Sequence, residues 1–391
     1  MELTQEQTKM LDGEYGETVA RQMQLLATLG KIYKAKRMIP IGSAQIAGVS
    51  YKSVGEPGLE FLEDIAAAGA KVKVLTSINP CGIDLEDWEK IGFPKDFAEK
   101  QKRIIEAFRR MGIMISVTCT PYFAGNLPRF SEHIAWSESS AVSFANSVIG
   151  ARTNREGGPS ALAAAICGVT PEYGFHLDDH RRPTVVVRVS AKLEANADFG
   201  ALGYITGKKI QNKVPYFTGI TSATTDNLKA LGAAMAASGA VALYHVEGIT
   251  PEAGQMKIAG LDVVEIAESD IAGTYATLNT GTDPDIIMIG CPHASLREII
   301  EIAGKVQGRK LRKQLWICTS RSIKDTAARM GLNDVIEAAG GRLVADTCMV
   351  VSPIEQMGIK SVAVDSGKAA NYLPGFCKQK VVFNRLDKLL E

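Results

Sequence analysis

Short apolar runs of strand length recur along this chain, and each is separated from the next by a turn and a helically spaced pattern. The runs fall at 71–75, 113–117, 184–189, 241–245, 285–289, 315–318, 343–345 and 361–364. Helical spacing is found between them at 58–68, 96–111, 227–237 and 295–303. Near the start, Thr4 can cap a first helix, and 18–33 reads as a second, with apolar positions at Val19, Met23, Leu26, Leu29 and Ile32. Parallel strands need long crossovers, and helices supply them while covering the sheet faces. The alternation therefore predicts an α/β protein built on largely parallel sheets. A length of 391 residues is enough for two to three such domains. The stretch 154–183, rich in Gly, Pro and charge, marks a candidate domain crossing.

Open parallel sheets bind ligands beyond the carboxyl ends of their strands. Cysteines fall there repeatedly: Cys119, Cys291 and Cys348, and with them Cys318 and Cys81. Cys167, in an Ala-rich helical run, reads as a small core residue. Any one buried cysteine is most often inert. Several thiols on one rim point instead to a site. The total of seven is odd and thinly spread, which fits reduced thiols in a cytosolic protein better than a disulfide scaffold. No Cys-x-x-Cys occurs, so zinc-ribbon and thioredoxin-like chemistry lack support. Any cluster must gather its ligands from distant parts of the chain.

Other segments carry weaker signals. The small-residue loop 41–50 could offer backbone N–H groups to a carboxylate or phosphate, but matches neither a P-loop nor a dinucleotide turn. His176 and His180 are four apart, yet Leu177 stands where a zincin needs Glu, and an exposed loop is the stronger reading. Arg152 and Arg155 precede a helix and suit recognition of a carboxylate, or a simple capping turn. Lys368, just past a strand, could pin an anionic group or decorate the surface.

Composition excludes whole classes. At 46% hydrophobic and 22% charged the chain is not disordered. Forty-four Lys+Arg against 43 Asp+Glu leave a net charge of +1, so bulk nucleic acid and anionic membranes are not expected partners. The polar, acidic N-terminus is unlike a signal peptide, and no run approaches the roughly 20 apolar residues of a membrane span. A cytoplasmic location is expected.

Taken together, the segments resemble the large, catalytic subunit of the aconitase X family, a branch of the aconitase superfamily. The matching pieces run from Leu3-Thr4 and Met10-Leu11-Asp12-Gly13 through Ala47-Gly48-Val49-Ser50 and Asn79-Pro80 to Thr118-Cys119-Thr120-Pro121-Tyr122. They continue with Glu138-Ser139-Ser140-Ala141, Asn146-Ser147 and the stretch 150–158. Gly290-Cys291-Pro292-His293, Asp346-Thr347-Cys348 and Asp365-Ser366-Gly367-Lys368 complete the set.

That resemblance implies an aconitase-like fold, with three α/β domains surrounding an iron–sulfur cluster cleft. Sub-domains are expected at 1–130, 131–270 and 271–391, with the swivelling fourth domain on a separate small subunit. It implies a [4Fe–4S] cluster on Cys119, Cys291 and Cys348, while Cys81 and Cys318 lie outside the ligand motifs. Substrate contacts are expected at Gly48, Val49, Ser50, Asn79, Pro80 and Lys368, with Arg152 and Arg155 as further candidates. No residue of this chain is expected to be the catalytic base, which relatives supply as a serine on the small subunit. The implied reaction is dehydration of (R)-5-phosphomevalonate to trans-anhydromevalonate 5-phosphate, in a mevalonate pathway for isoprenoids. The enzymatic alternative is cis-3-hydroxy-L-proline dehydration. A non-catalytic iron–sulfur sensor is the alternative outside enzymology, and the near-zero net charge gives it little support.

Overall fold

The computed structural model describes residues 1–391. Three α/β units follow one another along the chain. In the first, the strands Leu75–Ile78, Ser43–Ile46 and Ala135–Trp136 form a parallel sheet in that order, with Ala44 opposite both Thr76 and Ala135. Met38–Pro40 and Val169–Pro171 add a small antiparallel pair. The second unit has a four-stranded parallel sheet in the order His245–Val246, Pro215–Thr218, Val185–Val189 and Val263–Ile266. The third has five parallel strands: Gly341–Ala345, Gln314–Thr319, Ile286–Ile289, Ser361–Val364 and Lys380–Phe383. No helix is long and apolar enough to cross a membrane.

These pairings correct the expected sub-domain divisions. A boundary at 130 would cut the first unit, because Ala135–Trp136 pairs with Ser43–Ile46 and Val169–Pro171 pairs with Met38–Pro40. A boundary at 270 would cut the helix Glu268–Leu278.

Most expected elements lie within a residue or two of their places, for instance the helices Glu17–Ile32, Lys95–Arg110 and Thr225–Gly239. Three expected strands do not form as such; along 241–245 the strand starts only at His245. Along 71–75 the backbone is spent elsewhere: Val72 N–H donates to Met111 O and Lys73 N–H to Ala165 O, and the strand starts only at Leu75. Along 113–117 only a single bridge, Ser77 with Met114, is made before Val117 turns to φ 43° and breaks the pleat. The helix expected at 58–68 begins earlier, at Tyr51, capped by the Ser50 hydroxyl. Gly55 and Pro57 hid its first turn, since a break at Gly55 (φ 60°) interrupts the helical spacing.

The largest buried cluster holds 59 residues, from Ile46 to Phe383, and draws on all three units. Polar ties reinforce it. The fully buried Asp84 of the first unit accepts from Ala345 N–H (2.9 Å) and pairs with Arg321 (2.5 Å) and Lys324 (3.2 Å) of the third. Arg321 also pairs with Asp346, and Cys81 N–H donates to Asp346 O at 2.9 Å. Burial raises the Asp346 carboxyl to about 6 against the pull of Arg321. The loop that carries Cys348 is thereby seated on the first unit.

Candidate active site

The carboxyl ends of strands from the first and third units converge on a cavity of about 210 Å³. Ala47 follows Ser43–Ile46, Asn79 and Pro80 follow Leu75–Ile78, and Ser137 and Glu138 follow Ala135–Trp136. Cys291 follows Ile286–Ile289, Cys348 follows Gly341–Ala345, and Lys368 sits in the first turn of the helix after Ser361–Val364. Cys119, Arg155, Val350, Val351 and Tyr372 complete much of the wall. Two glycines make this convergence possible. Gly290 has φ 98°, and a Cβ there would lie 2.1 Å from Cys318 O. A Cβ on Gly158 would lie 2.5 Å from Ala47 O, so only glycine lets that helix approach the cavity loop.

The structure brings Cys119, Cys291 and Cys348 to one wall, although 57 residues or more separate them in sequence. All three are buried. Burial raises the Cys119 thiol to about 12. Hydrogen bonding between the Cys291 and Cys348 thiols draws Cys348 down to about 7, helped by the backbone N–H groups of Val350 and Val351, and holds Cys291 up. The remaining thiols stand outside the cavity lining. Cys81 donates to Ile83 O at 3.0 Å, Cys318 and Cys167 are buried in the core, and Cys377 accepts from Lys52 Nζ at 3.4 Å.

Lys368 faces a partner that the sequence did not reveal. Its Nζ donates to Glu138 Oε1 at 2.5 Å and to Ser140 Oγ at 3.1 Å. Glu138 in turn caps the helix Ser139–Phe144, accepting from Ala141 N–H (2.7 Å) and Ser140 Oγ (2.6 Å). Burial alone would raise the Glu138 carboxyl, but Lys368, the Ser140 hydroxyl and Ala141 N–H outweigh it and hold it below its ordinary value. Burial likewise works against the Lys368 ammonium, and Glu138 with the nearby thiols outweighs it, so the ammonium stays protonated. A carboxylate with its oxygens so fully occupied is a poor proton acceptor.

The other predicted residues divide. Asn79 and Pro80 line the cavity, and the buried Asn79 Oδ1 has no hydrogen-bond partner. Of the predicted small-residue loop, Ala47 lines it while Gly48, Val49 and Ser50 do not. The Ser50 hydroxyl is committed to capping Lys52 N–H and donating to Val351 O at 2.7 Å, which braces a wall residue. Arg155 lines the cavity, is exposed, and pairs with no other side chain. Arg152 is elsewhere: it donates to His176 O at 3.1 Å and pairs with Asp178. Arg152 is bridged through its backbone to His133 and its side chain is held by His176 and Asp178, while Arg155 reaches the cavity. The His176–His180 segment forms two short turns, with His180 exposed as the loop reading expected but His176, against that reading, buried beside His133 (Nδ1 to Nδ1, 3.0 Å).

Sequence reasoning missed Glu138, Tyr372 and the Val350–Val351 pair. An acidic residue directly before Ser139-Ser140 was a legible helix-cap signal for Glu138. Nothing local connects it to a lysine 230 residues away.

Fold and site together define a three-unit parallel α/β protein with a thiol-lined, charge-paired cleft at its strand ends. The chain belongs to the aconitase X family: models of that family's first, second and third domains match residues 1–179, 183–276 and 284–391. It is similar to a phosphomevalonate dehydratase large subunit of Methanocaldococcus jannaschii, 54% identical over 401 residues and covering 100% of each chain. A crystal structure of Thermococcus kodakaraensis aconitase X in its holo-form superposes with a TM-score of 0.95 at 48% identity, covering 100% of this chain and 99% of that one. A cis-3-hydroxy-L-proline dehydratase of Pseudomonas aeruginosa is more distant, 32% identical over 396 residues, which span 98% of this chain and 68% of that protein. The named relatives are dehydratases, and the enzyme class is hydro-lyase.

Proposed function

We propose that this chain is the large subunit of a phosphomevalonate dehydratase, removing water from (R)-5-phosphomevalonate to give trans-anhydromevalonate 5-phosphate. The observation that carries the reading is 54% identity along the full length of a large subunit of that name, against 32% and partial coverage for hydroxyproline dehydratase. Cys119, Cys291 and Cys348 would hold a [4Fe–4S] cluster. Three thiols lining one cavity, whose Glu138 carboxylate is already engaged by Lys368, Ser140 and Ala141, are a donor set whose chemistry fits. When bound, a cluster with one iron free of cysteine supplies a Lewis acid for the leaving hydroxyl.

The protein's own groups then have distinct tasks. An ammonium has three donors, and Lys368 commits two of them to Glu138 and Ser140, leaving one for an anionic substrate group. Arg155, unpaired at the cavity, is the second anchor and suits the bidentate geometry of phosphate or carboxylate. Asn79 Oδ1 is an acceptor for a substrate hydroxyl. Glu138 is too fully engaged to take a proton. That supports a base supplied by a partner, in line with the small-subunit serine that the family resemblance implies.

The test is direct. The chain is co-purified anaerobically with a small-subunit partner and mixed with each substrate, and dehydration is followed by NMR. Water loss from phosphomevalonate alone is the expected result. Turnover of hydroxyproline alone sinks the assignment, and full turnover by the large chain alone sinks the partner-borne base.

Arg155→Ala is expected to raise KM for the phosphorylated substrate about 10- to 100-fold, the loss of a charge-assisted hydrogen bond worth about 1.5–3 kcal/mol. Its melting temperature should stay put, because no other side chain depends on it. Arg152→Ala should do the reverse, with KM within about twofold and a stability loss of about 1–2 kcal/mol, because the largely buried Arg152 bonds both the exposed Asp178 and His176 O. Equal KM effects from both would remove Arg155 from the site.

A further inference from the structure

His293 is fully buried two residues after Cys291, and outside the cavity lining. Its ring nonetheless reaches the neighbours of both other cysteines. Nδ1 lies 2.9 Å from the hydroxyl of Thr118, next to Cys119. Nε2 lies 3.0 Å from the carbonyl of Thr347, next to Cys348. A carbonyl only accepts, so Nε2 carries the hydrogen and Nδ1 accepts from Thr118. The remaining capacity of that hydroxyl is filled by Thr120, whose N–H donates to it at 3.1 Å. The His293 backbone N–H donates to Cys119 Sγ at 3.2 Å.

The His293 carbonyl is held as well. It accepts from Lys229 Nζ at 3.2 Å, and Lys229 is itself buried between Asp226 and Glu298. Hydrogen bonds from all three α/β units therefore end on this one residue: Thr118 of the first, Lys229 of the second, and Thr347 of the third. Each cysteine comes from a different loop, and none is tied to the others by local chain geometry. Groups that orient ligands without touching the metal commonly account for 10- to 100-fold of its affinity.

We infer that His293 is a positioning residue that holds the three cysteine-bearing loops in register, its ring linking Thr118 to Thr347 and its backbone N–H bonding Cys119 Sγ. The inference rests on the reading that Cys119, Cys291 and Cys348 act together as one ligand set.

Cd²⁺ is the probe, because its thiolate absorption band reports how many sulfurs bind, independently of enzyme activity. The reduced wild-type chain should bind Cd²⁺ at this cavity with a thiolate band to which all three cysteines contribute, each Cys→Ser change diminishing it. His293→Gln can place its amide nitrogen near Thr347 but has no ring to hold an acceptor at the Nδ1 position facing Thr118, and Thr118→Val removes the other end of that bond with little change in shape. Each should weaken Cd²⁺ binding about 10- to 100-fold. The double variant should be no weaker than the worse single, because both remove one bond. Either single variant binding Cd²⁺ as tightly as wild type overturns the inference, and so does full additivity. A merely structural histidine would lower the melting temperature and leave Cd²⁺ affinity unchanged. Should His293→Gln not fold, Thr118→Val alone decides. A wild type that binds Cd²⁺ through three thiolates but takes up no iron and sulfide sinks the cluster reading and leaves this inference standing.

Discussion

Changing any one of Cys119, Cys291 or Cys348 to serine should abolish stable uptake of iron and sulfide and reduce dehydration to background. A serine hydroxyl stays protonated at neutral pH and is a hard, weak ligand where a soft thiolate is needed. Two remaining thiols cannot replace the third, because the only cysteines that line the cavity are these three. Cys167→Ser, Cys81→Ser and Cys318→Ser should keep the cluster. Their sulfurs are buried in the core or bonded to backbone, and the cost falls on stability, about 1–3 kcal/mol for each buried hydroxyl. Anaerobic reconstitution followed by iron and sulfide analysis and visible absorption makes the measurement. Loss of the cluster in Cys318→Ser, with retention in one of the three, would show that the ligand set is misassigned.

Lys368→Met should cost about 3–5 kcal/mol of stability, because it leaves the buried Glu138 carboxylate without its cation. The double variant Glu138→Gln/Lys368→Met should recover most of that, since neither charge is then buried alone. Activity separates structure from binding: the double variant should remain inactive if Lys368 also holds the substrate, and active if its role is only to neutralise Glu138. The pH dependence has a definite sign. The Glu138 carboxyl is held below its ordinary value in the folded protein, so its contribution is fully present above the unfolded carboxyl value of about 4.3 and is lost as pH falls through the folded one. Urea unfolding at pH 7 should therefore show a large gap between wild type and Glu138→Gln, and the gap should close in strong acid. A gap that is constant with pH would mean the ion pair contributes nothing.

The reach of sequence reasoning depended on whether a signal was local. Periodicity placed the strand Ser361–Val364 and the start of the helix Leu296–Val306 to within a residue. The run at 71–75 looked like a strand for the same local reason. Its backbone N–H groups were claimed by Met111 and Ala165, which spacing cannot foresee. The small-residue loop was located correctly, but the side of it that faces the cavity was not: Ala47 lines the wall, and Ser50 is used up as a helix cap.

Alternation of strand and helix patterns, together with cysteines just past strand ends, was enough to establish an α/β fold and a thiol-bearing rim. Both follow from physics within a dozen residues, where backbone geometry and burial of one face decide the outcome. Which thiols share a wall, that Arg155 is free while Arg152 is not, and that Lys368 meets Glu138 were decided only by tertiary structure. Those facts depend on how sheets from separate units dock, and docking is governed by a core of 59 side chains that no local segment contains.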